Sequence, residues 1–230
     1  MEQAGVKAVI IGSTGAIGKE LVWLMATDDR YAKVALLARR KLEEWDAMDD
    51  FDSKFEMVEM EDFSDLSSLN EQLAGYTHFF CALGSRVGWG KELFIKVDHD
   101  YPIEFAKLAT EVNAEEYYLV SSMGAKSSSW FLYPKTKGQV EEALREASLK
   151  HLVIVQPGLI TERDNDSWAG EKVMSVIPFI PKIKARDVAW AMMRYSVELG
   201  DSTDERPDTI TLVNKDLLQL RDRADEAEQA

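Results

Sequence analysis

Tyr133 and Lys137 stand four residues apart in Tyr133-Pro134-Lys135-Thr136-Lys137, eleven residues beyond Ser122. On a helix that spacing brings both side chains to one face, where an ammonium can favour the phenolate of a neighbouring phenol. A phenol of ordinary pKa, about 10, is a poor base at neutral pH, and a nearby cation is the way to bring it into range. Ser122, or the adjacent Ser121, would then hold a substrate oxygen by a hydrogen bond. The bare spacing is common in helices and gains its meaning from the residues around it. Pro134 requires the helix to start close by, with Ser127-Ser128-Ser129 supplying capping oxygens.

The second constellation is the turn Gly12-Ser13-Thr14-Gly15-Ala16-Ile17-Gly18, which follows an apolar run and leads into an apolar helix face of Ile17, Leu21, Leu24 and Met25. Glycines there let the backbone approach a pyrophosphate, whose charge is met by amides at the helix N-terminus. The next apolar run ends in Arg39-Arg40-Lys41, where a fold selective for NAD would place an acid. Two guanidiniums can instead grip a ribose 2′-phosphate, so the expected cofactor is NADP(H). Three later segments fall at expected strand ends: Asp62-Phe63, Ala82-Leu83-Gly84, and Pro157-Gly158 with Ile160. Asp62 could accept from an adenine amino group or cap a helix before Leu66. The Pro-Gly turn could pass close to a nicotinamide ring.

Positioning these segments requires alternating strands and helices, and the sequence has that alternation. Strands are expected at 6–11, 33–38, 55–59, 78–82, 117–121, 152–156 and 209–213, several without polar alternation, as parallel strands buried on both faces should be. Helices are expected at 17–26, 66–73, 101–112, 133–145 and 188–199. The fold class is α/β, a doubly wound parallel sheet flanked by helices. A substrate lid is expected at about 161–184, where Pro178 and Pro181 interrupt any period. One domain is expected over 1–220, followed by a charged, frayed tail at 221–230.

The 230 residues carry a formal net charge of -14, which opposes nucleic acid and anionic lipid as partners. A lone cysteine, Cys81, excludes an internal disulfide and disfavours zinc. With no signal peptide or apolar run of membrane-spanning length, the expected location is the cytoplasm. Asp98-His99-Asp100 offers ligand types for a metal, but adjacent helical side chains point apart. The charged residues Lys107, Glu111, Glu141, Glu142 and Arg145 on the helices at 101–112 and 133–145 argue for a monomer or weak dimer.

Taken together, GSTGAIG, LARRK, VSSMGA, YPKTK and QPG, with VDHDY at Val97–Tyr101, resemble the atypical short-chain dehydrogenases, most of all the Tat-interacting-protein (tumour-suppressor CC-three) type of oxidoreductase. The G-x-x-G-x-x-G spacing is that superfamily's. The resemblance covers about residues 6 to 200 and implies a single Rossmann-like domain that binds NADP(H). Tyr133, Lys137 and Ser122 match the reductase triad, and Lys137 would also contact the ribose. Arg163 approximately matches an arginine beyond the Pro-Gly turn. The implied function is NADPH-dependent reduction of a small carbonyl substrate. The alternatives are a dinucleotide-sensing protein that acts through protein partners, and an epimerase or dehydratase that uses its cofactor transiently.

Overall fold

Apolar runs without polar alternation become the central strands of a parallel sheet, because both of their faces must be covered. The computed structural model describes residues 5–48, 51–161, 181–198 and 207–228. Its main sheet contains β1 (Val6–Ile11), β2 (Tyr31–Ala38), β3 (Phe55–Glu59), β4 (His78–Cys81), β5 (Glu116–Val120), β6 (Leu152–Gln156) and β9 (Thr209–Val213). They lie in the order β3-β2-β1-β4-β5-β6-β9, and every neighbouring pair is parallel. The order reverses between β1 and β4, which opens a crevice at the carboxyl ends of the strands. A separate parallel pair joins β7 (Leu159–Thr161) to β8 (Lys182–Lys184).

Alternate residues of each strand enter opposite cores. Ala8, Ile10, Phe80, Tyr118 and Val153 pack with α1 (Ala16–Ala26) and α6 (Ala185–Glu198) on one face. Val9, Ile11, Phe79, Tyr117 and Leu119 pack with α4 (Tyr101–Glu111) and α5 (Leu132–Glu146) on the other. Short helices α2 (Phe51–Lys54) and α3 (Lys91–Ile95) complete the first half, and α7 (Asn214–Glu228) buries Leu217 in the first core. Between α3 and α4 the chain makes a wider π turn at Lys96–Asp100, so 91–111 is helical throughout.

Several expectations are corrected. No α-helix forms at 66–73, where the chain makes one 3-10 turn, Ser67–Leu69, followed by turns. Leu66, Leu69 and Leu73 are nevertheless buried, so their spacing reported burial rather than hydrogen bonding. Asp65 explains the difference by capturing the Ser67 amide at 3.0 Å and its hydroxyl at 2.7 Å. Helix α7 runs on through Glu228, into the segment expected to fray, and Arg221 reaches Asp187 of α6 at 3.3 Å. Glu141 does not belong to an exposed charged face, being 4% exposed. Of the expected lid, residues 162–180 lie outside the described residues, as does Arg163. The ends described, Thr161 and 181–184, include the β7–β8 pair.

Helix α5 starts at Leu132 and holds Pro134 in its first turn, where a missing amide costs nothing. Its start is not capped as expected: Ser129 Oγ accepts from the Phe131 amide at 3.2 Å, while Ser127 Oγ donates to Glu142. Instead the preceding loop is pressed against the helix. The Lys126 amide donates to the Pro134 carbonyl at 2.8 Å, and a Cβ on Gly138 would lie 2.1 Å from the Ser127 nitrogen. Gly138→Ala must therefore displace backbone, at an overpacking cost of about 2 kcal/mol. For a chain of this size the melting temperature should fall by roughly 4–8 °C in a circular-dichroism melt. An unchanged melting temperature would refute this close packing.

Candidate functional site

Parallel strands deliver their carboxyl ends to one edge, and every described candidate residue follows such an end. Gly12–Gly18 follows β1, Arg39 and Arg40 follow β2, and Asp62 and Phe63 lie beyond β3. Ala82–Gly84 follows β4, Ser121 and Ser122 follow β5, and Pro157, Gly158 and Ile160 lie at or beyond the end of β6. Tyr133 and Lys137 come to this edge from the first turns of α5, one turn apart.

The turn after β1 has the form an anionic group needs. Gly12 adopts φ +84°, and a Cβ there would stand 2.7 Å from the Ala82 carbonyl carbon and the Leu83 nitrogen. Any side chain would therefore push β1's turn off the end of β4. Gly18 lets α1 close onto the same turn, since its Cβ would meet the Gly12 oxygen at 2.1 Å. Gly15 caps α1 without a side-chain bond and no acid occupies the first turn, so the leading amides keep their positive end bare. Ser13 Oγ is buried without a hydrogen-bond partner among the described residues. Bare amides, an orphaned hydroxyl and a cradle with no room for Cβ atoms fit the pyrophosphate of a dinucleotide.

At the end of β2 the three cations differ. Lys41 is engaged by Asp46 at 2.8 Å and Asp52 at 3.3 Å and lies over the Phe51 ring. Arg39 and Arg40 are exposed, and neither has an ion-pair partner among the described residues. Asp62 is occupied. Its carboxylate accepts from Lys96 at 2.7 Å, from the Ser64 hydroxyl and amide at 2.6 and 2.8 Å, and from Tyr101 at 3.2 Å. Lys96 and then Ser64 hold it well below the usual carboxylate range. It is thus a local turn anchor; Phe63 beside it is buried edge-on to Tyr101.

Lys137 is 3% exposed, and its ammonium lies 2.9 Å from Asp98 Oδ1 and 3.4 Å from the Val120 carbonyl. Burial, the largest single influence, lowers its pKa, but the Asp98 carboxylate, helped by Tyr133, leaves it above the usual lysine value. The other oxygen of Asp98 accepts from the Ser85 amide at 2.8 Å and its hydroxyl at 2.6 Å. One carboxylate thus joins the loop after β4 to the lysine of α5. Tyr133 remains 40% exposed, its ring 5.7 Å from that of Phe94.

The two serines are separated by their surroundings. Ser121 is buried and donates to Glu141, which also accepts from Gln156 at 2.8 Å and pairs with Arg145 at 3.3 Å. Ser122 is half-buried, and among the described residues its side chain makes only a long bond, 3.3 Å, to the Met123 carbonyl. Its loop is tied to the Pro-Gly turn by the Met123 amide, 2.9 Å from the Pro157 carbonyl. The Gly158 amide is held by Asn214 Oδ1 at 2.8 Å.

Asp98, Ser85, Glu141 and Asn214 were not expected at this edge. The signal for Asp98 lay in VDHDY, where it was weighed only as a metal ligand. Burial of Lys137 requires a carboxylate nearby, and Asp98 supplies it.

A profile described as NAD(P)H-binding matches residues 12–195. The rat protein HTATIP2 is 34% identical over 164 residues, covering 70% of this chain and 66% of its own length. The mitochondrial protein FMP52 of Lodderomyces elongisporus is 28% identical over 230 residues, 93% of this chain and 96% of that one. Among solved structures, the dTDP-glucose 4,6-dehydratase DesIV of Streptomyces venezuelae, with NAD and TYD bound, aligns with a TM-score of 0.68. It is 13% identical and covers 96% of this chain and 81% of its own, a likeness of fold alone. The cytoplasmic expectation is corrected by the FMP52 relatives, which are named as mitochondrial in several fungi.

The Asp98–Lys137 pair has a pH signature. Because Lys137 titrates above its ordinary value of 10.5, the pair's contribution to stability is complete below that value and is lost only as pH rises through the folded-state pKa. Asp98→Asn keeps an acceptor for Ser85 but strips the ammonium of its counter-charge, a loss of about 3 kcal/mol near pH 7. Burial then lowers the lysine pKa in the folded variant, and the unfolded chain binds the extra proton. The deficit against the parent should therefore shrink as pH rises from about 7 to 10 in urea titrations. A deficit independent of pH would sink this account of the pair.

Proposed function

The chain belongs to the NAD(P)H-binding family and groups with the atypical short-chain dehydrogenases, and from that premise we propose that it is an NADPH-dependent reductase of a carbonyl substrate. The observation that carries this reading is Lys137, buried and held charged by Asp98, one helical turn from a Tyr133 that still faces solvent. A structural lysine would be expected at the surface, where its charge is free of desolvation cost.

The roles follow from position. Ser122, rather than the Glu141-bound Ser121, donates a hydrogen bond to the substrate oxygen. Tyr133 delivers a proton to that oxygen, and the ammonium of Lys137 stabilises the phenolate that remains. A nicotinamide held at this edge would supply a hydride to the carbonyl carbon, and with the proton from Tyr133 the products would be an alcohol and the oxidised cofactor. Asp98 holds the lysine in place and keeps it charged. The Gly12–Gly18 turn would take the pyrophosphate, and Lys137, with a proton to spare beyond Asp98 and Val120, would take the ribose. The names of the fungal relatives make the mitochondrion the compartment in which to look for activity.

The phosphorylated cofactor is preferred because Arg39 and Arg40 have no ion-pair partner among the described residues, in a chain of net charge -14. Fluorescence titration should show NADPH binding more tightly than NADH. Arg39→Ala should weaken NADPH by roughly tenfold or more and spare NADH, since a charge-assisted contact contributes about 1.5–3 kcal/mol. Equal affinities in the parent protein would remove the assignment.

Tyr133→Phe deletes one exposed oxygen and should leave the fold and NADPH affinity intact. NADPH consumption with a reducible carbonyl should drop by about 10²–10⁴, as for a lost general acid. Full turnover by this variant would show that the constellation is not the machinery of the reaction.

A further inference from the structure

Large apolar side chains scattered over a surface need no explanation, but a cluster at one site does. Among the described residues, the exposed large apolar side chains other than Trp23 and Val213 all come from segments that converge on the crevice edge. Besides Tyr133 itself they are Val87, Trp89, Leu93, Met123, Trp130 and Phe131. Val87 and Trp89 form the turn leading to α3, and Leu93 precedes Phe94, whose ring lies against that of Tyr133. Met123 follows Ser122. Trp130 and Phe131 lead into α5, at 99% and 77% exposure.

The loops that carry them are held in place. The Phe131 amide is bonded to Ser129 Oγ, the Lys126 amide to the Pro134 carbonyl, and the Met123 amide to the Pro157 carbonyl. Trp130 and Phe131 are therefore presented on bonded backbone within three residues of Tyr133, and Trp89 lies under the Arg86 guanidinium at 5.5 Å; among the described residues nothing covers Trp130.

We propose that the substrate is a carbonyl compound with a bulky apolar body, aromatic or long-chain, that lies across Trp89, Trp130 and Phe131 with its carbonyl at Tyr133 and Ser122. This rests on the reductase reading and adds the class of molecule reduced. Such a compound differs from the nucleotide sugar named for the fold neighbour MoeE5, UDP-glucose, which carries a charged diphosphate and offers less apolar surface to bury. Lys91, Lys126 and Lys135 are also exposed on these segments, and aromatics mixed with lysines can seat a protein on an anionic bilayer. The substrate reading is favoured because the cluster adjoins Tyr133 and because the whole chain carries -14 charges, which oppose such a surface.

The test uses naphthylmethanol, a product-like alcohol that NADPH cannot reduce, titrated calorimetrically into the full chain with and without NADPH. UDP-glucose serves as the polar comparison. The alcohol should bind and UDP-glucose should not. The double variant Trp130→Ala/Phe131→Ala, at two exposed positions, should bind the alcohol at least tenfold more weakly with unchanged NADPH affinity and melting temperature. Absence of alcohol binding, equal binding by the double variant, or tighter binding of UDP-glucose would overturn the proposal. So would sedimentation with phosphatidylglycerol vesicles that depends on these aromatics without alcohol binding, which would assign the patch to a lipid surface. If the alcohol binds as expected but naphthaldehyde is not reduced, the ligand class stands and the reductase reading falls.

Discussion

An ammonium taken out of water loses several kcal/mol of solvation unless a counter-charge meets it, and the crevice edge is organised around that requirement. Lys137 has Asp98 at 2.9 Å, and the same carboxylate is fixed by Ser85. Helix α5, the wide turn before α4 and the loop after β4 are consequently held to one another by one buried group. Mutual positioning of a phenol, a lysine and the turn after β4 is then a property of the packed interior. Glu141 does similar work beneath the neighbouring strand ends, where it gathers Ser121, Gln156 and Arg145.

The sheet supplies the frame. Reversal of strand order between β1 and β4 separates the two turns that follow them, and Gly12 lets those turns touch without filling the gap. The loops that carry Ser122 and Gly158 are bonded to each other and to Asn214 at the start of α7. A helix whose latter part, from 221, was expected to be a charged tail therefore begins by bracing the turn after β6.

How much was legible in the sequence depended on the range of the interactions. β1, β3, β6 and β9 have the expected bounds because their apolar runs stop at turn residues. Tyr133 and Lys137 were expected to share a helix face because residues four apart do so, and they lie one turn apart on α5. The lapse at 66–73 came from side chains that captured backbone amides locally, which an apolar period cannot reveal. Glu141 was expected on an exposed face because two of its partners, Ser121 after β5 and Gln156 on β6, lie off its own helix. Asp98 was seen but assigned to the wrong question, since its partner is almost forty residues on. Helix α7 was missed because charge on its outer face hid the few residues, such as Leu217, that bury.

The π turn at Lys96–Asp100 places Asp98 inward while both of its flanks stay fixed, Phe94 beside Tyr133 and Phe105 in the core under β4. Such a turn holds one residue more than a regular helix would, and healing it would rotate one flank against the other by about 100°. Neither flank is free to turn. Chain length through this stretch is thus constrained in a way that residue identity is not. Substitutions at exposed positions such as Asp100 should be tolerated, whereas a single-residue deletion would force a choice between the carboxylate under Lys137 and the packing of α4.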